Sequence, residues 1–176
     1  MVHVSIEHVI GTVALIGLVV AVALSYQITA GYLEENTIRS QLRQMAEYVS
    51  MSIANIVSLM EFTYGALSSG TVSKSLNLPA TIGGEPYNIT IIEKSGGYYV
   101  HVTMIKRAHL HAESSIPVSP TRRLQVFTGE EELQIILHDE SIEPRAWVCG
   151  GPYAVVWCQK EIDGVVYIGL GVRRGG

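Results

Sequence analysis

Two cysteines, six prolines and a charged fraction of 16% are what this chain of 176 residues has little of. So few cysteines exclude a small disulfide-stapled scaffold, and so few prolines exclude a collagenous chain. No proline precedes Pro79, so nothing of that kind interrupts a helix in the first 78 residues. Ordinary globular proteins carry about 25% charged residues. Here the deficit is filled by apolar residues, 48% of the chain, which excludes a disordered polyampholyte. The formal net charge is −4, which excludes the electrostatic footprint of a nucleic-acid-binding protein. There is no G-x-S-x-G and no glycine-rich loop between a strand and a helix. Nothing in the sequence implies an enzyme or a cofactor.

What is present is concentrated at the N-terminus. Val9 to Leu24 reads VIGTVALIGLVVAVAL, with Thr12 its only polar residue, and the uncharged stretch continues to Ala30. About 20 such residues span a bilayer as a helix, the conformation that satisfies every backbone group within one segment. A buried core helix is the alternative, but the remaining chain is too small to cover a rod that is apolar all round. A cleaved secretory signal is another; it wants a basic n-region, and no Lys or Arg precedes Arg39. The segment is therefore read as a retained membrane span.

From Tyr32 to Leu67 the chain turns amphipathic. Ile38, Leu42, Met45, Val49, Ile53, Ile56, Met60 and Leu67 recur mostly at steps of three and four, one helical face. Arg39, Arg43, Glu47 and Glu61 lie off it. The expectation is one continuous helix over 1–67, on the order of 90 Å long, with Gly31 the residue at which it would kink. Part of the stripe should pack on the rest of the chain. A seam this long also predicts helix–helix association between copies, with Ile38, Leu42, Met45 and Val49 as the oligomer seam.

After Gly70 the period becomes two. Tyr87, Ile89 and Ile91 alternate with Asn88 and Thr90; Tyr98, Val100, Val102 and Met104 alternate with Tyr99, His101 and Thr103. Ser95-Gly96-Gly97 between them reads as a hairpin turn. Further strands are expected at 72–78, 108–114, 124–127, 133–138, 146–149, 153–160 and 165–172, with Asp163-Gly164 turning the last pair. The fold class is α+β: a long N-terminal membrane-spanning helix, then an antiparallel β-sandwich-like domain over 68–176.

Two stretches resemble a known family. Ser5-Ile6-Glu7-His8-Val9-Ile10-Gly11-Thr12-Val13 followed by an apolar helix is similar to the N-terminus of archaeal type IV pilins and archaellum-related proteins. Leu78-Pro79-Ala80-Thr81-Ile82-Gly83-Gly84-Glu85-Pro86-Tyr87-Asn88-Ile89 resembles the passage from helix to β domain in small archaeal pilin-like membrane proteins. The likeness covers residues 1 to about 105. It implies a β head outside the cell and polymer assembly through the helix, with Glu7 and Gly11 as assembly residues. Removal of a two-residue leader would place Glu7 fifth. Charge alone places the head inside, because Arg39 and Arg43 follow the span. Arginines that far from the span carry little topogenic weight, so the implied topology prevails.

The remaining chemistry-bearing residues point to no active site. His109 and His111 would share a face if both lay on a strand, near His101 and His138, but no third ligand completes a metal spacing. Glu130-Glu131-Glu132 reads as a solvated turn, and Arg173-Arg174 as a soluble tail. Asn88-Ile89-Thr90 is a glycosylation sequon, a possible modification if the head is external. Cys149 and Cys158 are expected to form a disulfide in an oxidising exterior, provided the loop at Tyr153-Ala154 is wide enough; two separate thiols are the alternative.

Two functions follow. One is a structural subunit or minor component of a type IV pilus-like surface filament, with copies of itself or pilin-like subunits as partners. The other is a bitopic anchored β module that binds a cell-envelope or surface-layer protein as an accessory of filament machinery.

Overall fold

A computed structural model describes residues 2–64, 69–118, 124–128, 137 and 139–174, with the side chains of 2–7 and 64 left out. The N-terminal element is α1, Val2–Tyr64, a single helix of 63 residues. No break occurs at Gly31, where the sequence allows a kink. The hydroxyls of Thr12, Thr29 and Thr37 donate to the carbonyls of His8, Ser25 and Leu33, four residues back, at 2.8–2.9 Å. For Thr12 and Thr29 such back-bonding hides a polar group within the helix, as a lipid environment requires. The expected end at Leu67 lies outside the described residues.

The chain divides into two compact units, 1–37 and 38–176. The boundary expected from sequence was 67/68. It falls thirty residues earlier because the amphipathic half of α1 belongs to the core of the second unit. In the first unit every described residue from His8 to Glu34 is exposed, and His8 begins a stretch long and apolar enough to cross a membrane. This is the membrane span. Val20→Asp puts a carboxylate near its centre and is expected to cost about 2.5–3.5 kcal/mol of insertion free energy. Carbonate extraction of membranes should move the variant toward the soluble fraction; equal retention would refute the span.

The second unit holds nine described strands: β1 Gly70–Ser75, β2 Tyr87–Lys94, β3 Gly97–Met104, β4 His111–Ser115, β5 Leu124–Val126, β6 Ile142–Arg145, β7 Trp147–Cys149, β8 Ala154–Lys160 and β9 Val166–Arg173. They form two sheets. One has the order β4-β3-β2-β7 and is antiparallel throughout. The other runs β1-β8-β9-β5, with β6 also on β9. β5 and β6 share one edge of β9 end to end, Leu124 opposite Val166 and Ile142 opposite Arg173. β5 runs parallel to β9, so the second sheet is mixed, a correction to the all-antiparallel expectation. β6 was not expected, and the strand expected at 133–138 lies outside the described residues except for Leu137.

The hairpin β2–β3 follows the alternation read from sequence. Ser95 and Gly96 both have positive φ (53° and 75°), the backbone of a two-residue turn that matches strand twist. In the Leu78–Ile89 passage, Ile82 and Glu85 form a tight bridge around Gly83 and Gly84, also at positive φ. A Cβ on Gly83 would come within 3.0 Å of Ile38 Cδ1, so this turn is seated directly against α1.

One core joins the helix and both sheets. Ile38, Leu42, Ala46, Val49, Ile53, Ile56, Val57 and Met60 of α1 are buried in it with Ile89, Val102, Val156 and Ile168. Ile38, Leu42 and Val49 are 0–1% exposed and Met45 packs against the same cluster, so the expected oligomer seam is covered by this chain's own strands. The helix also occupies the seam between the edge strands β4 and β1. Ser50 Oγ donates to the Ser115 carbonyl at the end of β4, and Lys74 of β1 donates to Ser52 Oγ at 3.1 Å. That explains two buried serines in an apolar face and protects edges that would otherwise template aggregation.

The outer face of the mixed sheet has its own small core of Leu137, Ile142, Val155 and Trp157, with Phe127 and Tyr167 against it. β8 is thus covered on both faces, and its Ala154–Cys158 run is continuously apolar rather than alternating.

Candidate ligand face and cleft

Parity along the strands sorts the antiparallel sheet into two faces. Tyr87, Ile89, Ile91, Val100, Val102, Met104 and Val148 point into the core. The residues between them point outward, and register lines them up in rows. Cys149, Asn88, Thr103 and His111 form one row; Trp147, Thr90, His101 and Glu113 form the next. Ile92, Tyr99 and Ser115 form a third. Trp147 is 52% exposed, so its indole lies open on this face.

Polar groups on the face are linked. The Thr103 hydroxyl lies 3.2 Å from the His101 ring nitrogens, and the Thr90 hydroxyl donates to the His101 carbonyl at 3.4 Å. The rings of His101 and His111 sit 5.4 Å apart, tilted by 45°. Lys94 reaches Glu113 at 3.1 Å across β3. That hydrogen bond holds the Glu113 carboxyl below the usual carboxylate range. Burial lowers the His101 pKa first; Glu113 opposes this, and His111 and Lys94 add to it.

At the β4 edge the face meets a cleft of about 500 Å³ lined by Arg39, Arg43 and Glu47 of α1 and by His111 to Ser115. Arg43 pairs with Glu47 at 3.0 Å, one helical turn on. With Glu113 held by Lys94, both acids of the cleft are engaged. Arg39 has no ionic or hydrogen-bonding partner among the described residues.

The sequence-predicted site residues fall as follows. Glu7 lies in α1, its side chain outside the described residues, and Gly11 lies in the exposed stretch with nothing within 4 Å of a Cβ placed there. Asn88 is half-buried on the outward sheet face, its Oδ1 accepting from the Cys149 thiol at 3.5 Å. His109 is not on a strand: it sits in the Arg107–Leu110 turn before β4, so the facing pair is His101 and His111. Among the described residues no three His, Cys, Asp or Glu side chains are placed to hold a metal. His138 and Glu130 to Glu132 lie outside the described residues. In the sequence Arg39 and Arg43 stand out as residues off the stripe and as charges that follow the span; their spacing of four was the available signal for a shared face.

The expected disulfide is not formed. Cys149 is exposed on β7 and Cys158 is buried on β8, in different sheets, and both are free thiols. The chain between them crosses from one sheet to the other, and burial pushes the Cys158 thiol up to about 12. Iodoacetamide should therefore label the native protein once, at Cys149, and a second time only after unfolding. Intact-mass spectrometry reads the count; no label on the non-reduced chain would restore the bridge.

Compared with known proteins, the chain matches no family model, no curated protein and no solved structure. What fold and site define is a class: a membrane-anchored protein with, among the described residues, one spanning helix, near the N-terminus, and an extracellular β-rich domain.

Proposed function

We propose that the chain is a subunit of a type IV pilus-like cell-surface filament, assembled through the surface of α1 that its own β domain leaves uncovered. The observation that carries this reading is the apolar surface beyond the span. Lipid accounts for the exposed side chains up to about Ala30. Large apolar side chains remain exposed further on, at Tyr32, Leu33, Tyr48, Met51, Leu59 and Phe62, the last at 91%. Tyr48 lies 18 residues past Ala30, about 27 Å along the helix, beyond the reach of hydrocarbon. Met51, Leu59 and Phe62 recur at helical spacing on the side of α1 turned away from the core, with Tyr48 at its margin, where Lys74 of β1 lies 5.6 Å from the ring. A neighbouring subunit in the same orientation is the occupant that a membrane-anchored chain meets most readily. The resemblance of 5–13 and 78–89 to archaeal pilin-like proteins supports the same reading.

Met51→Lys with Phe62→Ser tests it. Both positions are exposed, so the β domain should unfold at an unchanged denaturant midpoint. Filaments sheared from cells, or higher oligomers in mild detergent, should disappear. Glu7→Ala should act in the same direction. Sequencing of the mature N-terminus separates the alternatives, since loss of a short leader favours the subunit and an intact Met1 favours the anchored module. The second reading, an anchored binding module, is favoured by the outward sheet face, and it stands if the double variant leaves assembly unchanged.

A further inference from the structure

We propose that the outward face of β4-β3-β2-β7 and the adjoining Arg39 cleft bind an acidic glycan, a saccharide bearing carboxylates. The proposal concerns the 38–176 unit and does not depend on filament assembly.

The aromatic end of the surface is Trp147, with Tyr99 nearer the middle. An open indole beside hydroxyls and an amide suits the apolar face of a sugar ring with its polar rim. Asn88, Thr90 and Thr103 supply donors and acceptors between them. Strands are spaced about 4.8 Å apart, so β7 to β4 spans about 14 Å and several rings fit in a row.

The other end is cationic. Pairing removes Arg43 with Glu47 and Lys94 with Glu113, leaving Arg39 as the unpaired cation among the described residues lining the cleft, which it shares with His111, Ser114 and Ser115. A planar guanidinium recognises a carboxylate through two parallel hydrogen bonds. The charge complementarity is therefore local, within a chain of net charge −4.

Other occupants fit less well. A peptide added as a strand needs a free edge, but α1 engages the end of β4 at Ser115, and the short β7 follows directly from β6, which pairs with the other sheet. A protein interface wants a cluster of apolar anchors at its centre, and here the centre is Thr90, His101 and Thr103. A nucleic acid wants several unpaired cations, and among the described residues the cleft lining offers Arg39.

The test uses full-length protein in nanodiscs, with empty nanodiscs as control. The probes are oligogalacturonate, its methyl-esterified neutral form and inorganic phosphate, titrated by calorimetry. The acidic oligosaccharide should bind at least about tenfold more tightly than either other probe. Arg39→Gln and Trp147→Ala, both at exposed positions, should each weaken it by about tenfold without moving the denaturation midpoint. Lack of binding, or equal binding of the neutral ester, would overturn the proposal. So would phosphate binding as tightly with Trp147→Ala silent, which describes a bare anion site, or either variant binding the acid like wild type.

Discussion

Leu42→Asp is expected to unfold the β-rich unit rather than loosen contacts between copies. Leu42 is fully buried in the core shared by α1 and both sheets. Removing its side chain to the level of alanine already costs about 2–5 kcal/mol. The carboxylate adds the penalty of a polar group buried without a designed partner, at least a further 1–3 kcal/mol. Whole domains are stable by about 5–15 kcal/mol, so the sum reaches that range. Urea denaturation of the full-length protein in detergent, followed by tryptophan fluorescence, should show no native baseline. Leu42→Ala, milder by the charge term, should retain a cooperative transition at a lower midpoint. If both variants unfold like wild type while oligomers dissociate, the helix stripe is a seam between copies after all.

Trp157→Ala is expected to lose about 3–5 kcal/mol, among the largest effects of any truncation in this chain. The indole is fully buried on the outer face of the mixed sheet. Its Nε1 donates to the Leu170 carbonyl at 2.8 Å, and the Phe127 ring lies 6.2 Å away. Two glycines on β9 make the seat: a Cβ on Gly169 would fall 2.4 Å from Trp157 Cζ2, and one on Gly171 would come within 3.3 Å of Cδ1. Trp157→Ala thus leaves a cavity walled by backbone, which collapses poorly, and the Leu170 carbonyl loses its side-chain partner. Gly169→Ala attacks the same contact from the other side and should also destabilise, by about 1–3 kcal/mol. Equilibrium unfolding monitored by circular dichroism gives both midpoints. A Trp157→Ala loss below about 1 kcal/mol would mean the seat closes over the gap.

Local pattern alone determined the span, the helix and most strands. Sixteen residues from Val9 to Leu24 with one hydroxyl leave a lipid-bound helix as the simplest way to satisfy their backbone. The alternation in Tyr87–Ile91 and Tyr98–Met104, with a glycine turn between, is short-range and dictates the hairpin with its two faces. Three matters needed the tertiary structure. The stripe from Ile38 to Met60 announces burial, but periodicity is the same whether a neighbouring copy or the chain's own strands cover it; only the packing assigns it to the core. Cys149 and Cys158 stand nine positions apart, and only the strand pairing shows that β7 and β8 belong to different sheets. The outward sheet face is of the same kind. Trp147, Thr90, His101 and Glu113 come from four strands and become one row through register, while Arg39 lines a cleft with β4 because α1 packs at that edge. Sequence period fixes which side of a strand a residue takes; which strands become neighbours is set by non-local pairing and shared burial.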